Sequence, residues 1–294
     1  MAFGAGFLKM QLTRRHFSQL ALGAGAQAAA RINPYYNGVR IGAQSYSFRD
    51  RGLDAAIAAM KQVGIGTVEM WQGHVEPAVS KEFTREHLRK WRVSVDLGEI
   101  KAIRRKYDAA GIELYAFNYS FRDDFTDEEI DRGFLFAKAL GVKALTASSN
   151  VSTAKRIDRY AAKHKIHVGM HNHSRLVPNE FARAEDFAEA MRGASEYMGI
   201  NLDIGHFWAA GFDPVAYLRE HHGRIVTIHI KDRKKDQGPN MPFGEGDTPI
   251  KAVLGTLREL KLKIPANIEY EYKGTDTVAE MKKCLAYCKA ALGA

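Results

Sequence analysis

Between Arg40 and the C-terminal region, short apolar runs rich in β-branched residues alternate eight times with longer stretches of helical periodicity. This alternation constrains the chain more than any other feature. Strands are expected near Ile41–Phe48, Thr67–Trp71, Glu113–Tyr119, Val142–Ser148, His167–His173, Gly199–Phe207, Ile225–Lys231 and Asn267–Tyr272. Helices are expected over Leu53–Val63, Lys81–Val93, Ile100–Ala110, Asp127–Leu140, Thr153–Lys165, Ala184–Gly193, Pro214–His221, Ile250–Leu260 and Val278–Ala291. Gly64, Gly111, Gly141 and Gly199 stand where helices should stop in a left-handed turn. Eight βα units in roughly 260 residues match the length of a single-domain α/β fold, the (β/α)8 TIM barrel. No Pro/Ser-rich linker divides the chain. The competing open, doubly wound sheet normally carries a Gly-rich loop after its first strand, where this chain has Gln44-Ser45-Tyr46-Ser47-Phe48-Arg49-Asp50.

The barrel is expected over residues 31–294, and residues 1–30 as a separate segment. Thr13-Arg14-Arg15-His16-Phe17 precedes a short apolar stretch and a small-residue run, Ala24 to Ala30, with an Ala-x-Ala pattern. This order resembles a twin-arginine (Tat) signal peptide, cleaved between Ala28 and Arg31, and implies a periplasmic or exported protein. The stretch is too short and too rich in Gly and Ala to span a bilayer, so no membrane association is expected of the mature form. The full chain carries +9 at neutral pH. Beyond residue 30, 40 basic residues face 34 acidic ones, a mild excess with one short basic run, Lys231 to Lys235. Nucleic acid is therefore not an expected partner. Cys284 and Cys288, four apart on an apolar helix face, suit a disulfide poorly and read as small core residues.

Inward-facing residues follow from the period of two. On the fifth strand Val168 and Met170 face the helices, leaving His171 and His173 toward the axis. The same rule turns Asp203 inward on the sixth strand, His229 and Lys231 on the seventh, Glu269 and Glu271 on the eighth, and Glu69 and Trp71 on the second. Converging carboxylates cannot be buried without compensation. A divalent cation would resolve the conflict, and the mixed nitrogen and oxygen set suits Mn²⁺, Mg²⁺, Co²⁺ or Zn²⁺. Lys231 could instead satisfy Glu269 or Asp203 directly.

Five motifs in order give the chain a resemblance to the xylose isomerase-like barrel superfamily, in its sugar phosphate isomerase/epimerase branch with inosose dehydratases as relatives. They are His171-Asn172-His173, Leu202-Asp203-Ile204-Gly205-His206, His229-Ile230-Lys231-Asp232, Pro242-Phe243-Gly244-Glu245-Gly246-Asp247 and Ile268-Glu269-Tyr270-Glu271. The resemblance spans residues 40 to 275. It implies Asp203 and His229 as metal ligands, His206 as a contact to substrate oxygens, and Glu269 as ligand and acid/base. Where related epimerases carry a fifth-strand glutamate, this chain has His171. The implied metal set is thus His171, Asp203, His229 and Glu269, with Mn²⁺ the first expectation. The resemblance also implies pairing of barrels into a homo-oligomer.

The resemblance predicts a divalent-metal-dependent isomerase or epimerase. It would act through an enediolate on a keto sugar or a related unphosphorylated sugar or polyol. Glu269, His173 and Lys231 are the expected proton carriers. Tyr46, Glu69, Trp71, His74 and His206 are expected to meet the substrate. Loss of one carboxylate at His171 keeps two alternatives open: a lyase or dehydratase acting by β-elimination, and a non-catalytic sugar-binding barrel. An abasic-site endonuclease shares the fold but would need histidines on the second and third strands, where Glu69 and Phe117-Asn118-Tyr119 stand.

Overall fold

The structure is a computed structural model that describes residues 30–294. The expected export signal falls on residues outside these. Eight parallel strands form a closed barrel: β1 (Val39–Gln44), β2 (Thr67–Trp71), β3 (Glu113–Asn118), β4 (Ala144–Ala147), β5 (His167–His171), β6 (Met198–Asp203), β7 (Ile225–Ile230) and β8 (Ala266–Ile268). Closure is direct, because Ile41, Gly42 and Ala43 of β1 pair with Ala266, Asn267 and Ile268 of β8. A short antiparallel pair, Tyr35–Tyr36 with Val39–Arg40, lies at the N-terminal end.

The helices outside the barrel are α1 (Leu53–Val63), α2 (Arg85–Ser94), α3 (Leu97–Ala110), α4 (Asp127–Leu140), α5 (Ala154–His164), α6 (Ala184–Met191), α7 (Ile204–Ala209), α8 (Pro214–His221), α9 (Ile250–Glu259) and α10 (Thr277–Leu292). Their starts follow capping chemistry. Thr126 accepts from the Glu129 amide while the Glu129 carboxylate accepts from the Thr126 amide, a reciprocal cap that opens α4. Gly64 ends α1 at φ +93°, a conformation that costs other residues a steric penalty. Gly199 does not end a helix as expected. Gly193, at φ +71°, follows α6, whereas Gly199 lies inside β6, where a Cβ would fall 2.7 Å from the Arg224 carbonyl oxygen.

Two strands end earlier than their apolar runs suggest. β6 stops at Asp203, and Ile204-Gly205-His206-Phe207 begins α7. β8 stops at Ile268, so Glu269 and Glu271 occupy the chain just beyond it. Both cysteines are free and buried on α10 among the apolar residues between helices and barrel. No helix among the described residues is long and apolar enough to cross a membrane.

Candidate metal centre

The inside of the barrel is polar. Glu69 of β2 is fully buried, and both its oxygens are engaged. Oε1 accepts from Gln44 Nε2 (2.7 Å) and Thr146 Oγ1 (2.6 Å), and Oε2 accepts from Asn267 Nδ2 (3.1 Å) and faces His229 Nε2 (3.0 Å). This network joins β1, β2, β4, β7 and β8 beneath a cavity of about 270 Å³ at the C-terminal ends of the strands. Glu69 is therefore no contact for a substrate, contrary to expectation. It forms the floor.

Four residues converge above that floor. His171, Asp203, His229 and Glu269 each offer one atom, and the four atoms lie within 4.8 Å of one another. They are His171 Nε2, Asp203 Oδ2, His229 Nδ1 and Glu269 Oε2, and each is buried without a well-directed hydrogen bond. Asp203 is aimed by its own backbone position: it caps α7, its Oδ1 accepting from the His206 amide at 2.7 Å, which leaves Oδ2 to the cavity. Asn172 turns into the wall, where its side chain accepts from the Asp203 amide (2.9 Å) and donates to the Asp203 carbonyl (3.1 Å). That pair of bonds fixes the register that brings His171, rather than Asn172, to the axis. His171 Nδ1 meets Ser148 Oγ at 3.2 Å, and Glu69 takes the far side of His229. Each imidazole thus has one nitrogen anchored and the other turned to the cavity, the usual arrangement of a ligating histidine. Two nitrogens and two carboxylate oxygens, all buried and convergent, with His229 Nδ1 and Glu269 Oε2 3.0 Å apart, fit a divalent cation.

Lys231 enters the same space. Its ammonium lies 3.1 Å from Asp203 Oδ2, 3.0 Å from Glu269 Oε2 and 2.5 Å from Glu271 Oε2. It serves both Glu269 and Asp203. Burial disfavours the charged forms, but Lys231 and the neighbouring imidazoles outweigh it and hold Asp203 and Glu269 well below the usual carboxylate range. For His229, burial is likewise outweighed by Glu69 and Glu269, which raise its pKa well above the ordinary value. His173 has no such partner. Burial, then the neighbouring His171 and Lys231, push it down to about 3, so it is neutral.

The other expected residues divide. His206 is in the first turn of α7, between Lys231 Nζ (3.0 Å) and Arg233 Nη1 (2.8 Å) at the cavity wall. Gly205 permits this approach, since a Cβ there would meet the Lys231 carbonyl oxygen at 2.6 Å. Tyr46 and Trp71 line the cavity with their rings edge to face at 5.1 Å. His74, expected to meet substrate, is instead buried behind Trp71: its Nδ1 meets Ser45 Oγ at 2.9 Å, and that oxygen accepts from the Trp71 amide. Ser120, Arg122 and Ser148 line the cavity without having been expected, because they lie in loops beyond the strand ends where periodicity carries no signal. Larger clefts of about 370, 350 and 480 Å³ lie elsewhere, and of the buried atoms without a hydrogen bond among the described residues only Arg40 Nη1, 3.6 Å from Glu113, belongs to a residue that lines one of them.

Fold and site together define a (β/α)8 barrel with a candidate metal centre at its C-terminal mouth. The chain belongs to the xylose isomerase-like TIM barrel family, whose model matches residues 57–290. Among characterised proteins it is similar to the L-ribulose-5-phosphate 3-epimerase UlaE of Escherichia coli, 29% identical over 113 residues. That match takes in 38% of this chain and 39% of UlaE, so the chain covers about two fifths of the relative's length. Among solved structures, an uncharacterised protein of Parabacteroides distasonis superposes with a TM-score of 0.62 at 26% identity, over 85% of this chain and 98% of that one. The protein IolI, solved with a bound zinc atom, superposes with a TM-score of 0.64 over 86% of this chain and 98% of its own, at 15% identity, a likeness of fold.

Proposed function

We propose that this protein is a divalent-metal-dependent isomerase or epimerase acting on a keto sugar or a related unphosphorylated sugar or polyol. The observation that carries this reading is the set of four buried, convergent ligand atoms, three of them on residues that line a cavity also holding proton carriers. A divalent ion held by His171, Asp203, His229 and Glu269 would act as a Lewis acid on a carbonyl and its neighbouring hydroxyl, making the adjacent C–H acidic enough to lose its proton. Glu269, kept ionised by Lys231, takes that proton. Return to the neighbouring carbon gives an isomer; return to the opposite face gives an epimer. His173, neutral and facing the same cavity, and Lys231 are the second carriers. Tyr46 and Trp71 offer ring faces to the sugar C–H surface, and His206, with both ring nitrogens engaged, holds Lys231 and Arg233 at the cavity wall.

A second reading, β-elimination, is supported by His171. With a histidine at that strand end, Glu269 removes the proton and the Lys231 ammonium protonates the departing β-oxygen, which leaves as water or an alcohol. The two readings share their first step and differ in the second. Incubation of the Mn²⁺-loaded protein with a panel of ketoses and keto-glycosides in D₂O, followed by NMR, separates them. Deuterium beside the carbonyl with the skeleton intact supports isomerase or epimerase chemistry. Deuterium-free loss of a β-substituent supports elimination. Binding without exchange or loss leaves the sugar-binding barrel.

Export through the Tat route is part of the proposal, supported by the order of Arg14-Arg15, apolar stretch and Ala-rich end. Fractionation of cells expressing the full chain and an Arg14→Lys, Arg15→Lys variant tests it; equal periplasmic yield would overturn it.

A further inference from the structure

A second, smaller cavity of about 210 Å³ adjoins the metal-centre cavity, and Ser120 and Arg122 line both. Its walls hold four arginines and two acids. The acids are already engaged: Glu76 pairs with Arg92 through two bonds, at 2.7 and 3.0 Å, and Asp124 pairs with Arg89 at 2.6 Å. Arg92 is further held by the buried Glu129 at 3.0 Å. Arg85 and Arg122 are left with no carboxylate or hydrogen-bond partner for their guanidinium groups among the described residues. Gln72 ties the wall together, accepting from the Ser120 amide at 2.6 Å and donating to Glu76 at 3.2 Å. The result is a braced pocket with two free cations, opening beside the proposed reaction centre.

Resting on the sugar reading above, we propose that the substrate carries an anionic end group, a carboxylate within the unphosphorylated class, which this side pocket receives. Arg122 stands at the junction and takes the anion through its planar fork of N–H donors, with Arg85 beyond it. The carbonyl end lies over the metal centre while the charged end lies against Arg122. A keto sugar acid satisfies both this pocket and the absence of phosphate in the proposed substrate class; a sugar phosphate satisfies the pocket alone. Arg122 acts as a specificity-determining residue that fixes which end of the chain reaches Glu269.

Three probes with one carbon skeleton test this: D-fructose, D-fructose 6-phosphate and D-fructuronate, titrated calorimetrically into the Mn²⁺-loaded protein. At least one anionic probe should bind about tenfold tighter than fructose, the scale of one charge-assisted hydrogen-bond pair. Arg122→Gln should bring the ratio of anionic to neutral affinity close to one, while Lys61→Gln, on the exposed side of α1, should keep it. Preference for fructuronate identifies the carboxylate. Preference for the phosphate upholds the anion pocket and overturns the unphosphorylated substrate class. Equal affinity for all three, or a preference that survives Arg122→Gln, overturns the inference. Failure of all three to bind, with Mn²⁺ uptake measured separately, overturns the sugar reading beneath it.

Discussion

Lys231 holds its ammonium 3.0 Å from the Glu269 carboxylate, inside the ring of atoms that would grip a metal ion. Without an ion, the lysine is the one ammonium that meets Asp203, Glu269 and Glu271 together, and the neighbouring imidazoles add to its effect. Lys231→Met should therefore destabilise the metal-free protein by about 3–5 kcal/mol, the cost of leaving buried charges unpaired. Added Mn²⁺ should restore more stability in the variant than in the parent. Denaturant melts with and without Mn²⁺ measure both terms, and equal gains in the two proteins would contradict this account.

Asp203 has two duties that substitution can separate. Asp203→Asn keeps an oxygen for the His206 amide but removes the charge; Asp203→Ala removes both. Each should lose the roughly one equivalent of divalent ion that elemental analysis should find in the parent. Only the alanine variant should also lose the α7 cap, about 1 kcal/mol in a thermal melt.

Glu69 should tune the metal from below. Its carboxylate anchors His229 Nε2, leaving Nδ1 for the ion. Glu69→Gln should weaken Mn²⁺ binding by about 10–100-fold with the fold intact. Because His229 is held protonated well above the ordinary range, an ion must displace its proton. Metal affinity should therefore rise with pH through neutrality, and binding should release close to one proton. Calorimetry in two buffers of different ionisation enthalpy counts that proton.

Burial pushes the Cys284 thiol up to about 12 and the Cys288 thiol well above its ordinary value. Near pH 8 both are neutral thiols shielded from reagent. Ellman's reagent should find neither in the native protein and both in guanidinium chloride, with no change in mass on reduction. Prompt modification of the folded protein would show that α10 opens.

The barrel was legible because its two periods, two for strands and near four for helices, rarely conflict in this chain. The inward set at the ends of β5 to β8 followed from the same rule, and His171, Asp203, His229 and Glu269 do converge. Periodicity gives direction and not depth. Glu69 and Trp71 both point inward from β2, yet Glu69 lies one layer down among Gln44, Thr146 and Asn267, while Trp71 reaches the cavity. His206 was misplaced on a strand because Ile204-Gly205-His206-Phe207 continues an apolar run, and only the cap formed by Asp203 breaks it. Arg122 was invisible, since a loop side chain is placed by tertiary packing and by no repeating pattern.

The Glu69 network has a consequence for the order in which the molecule comes into being. Asn267, one of its four partners, and Glu269, one of the four convergent residues, both arrive with the last barrel strand, which closes against the first. A nascent chain still lacking its final thirty residues or so has neither a sealed seam nor a complete pocket. Any ion that those four residues hold would thus be captured by the finished polypeptide alone, and the compartment in which folding ends would decide which ion is on offer.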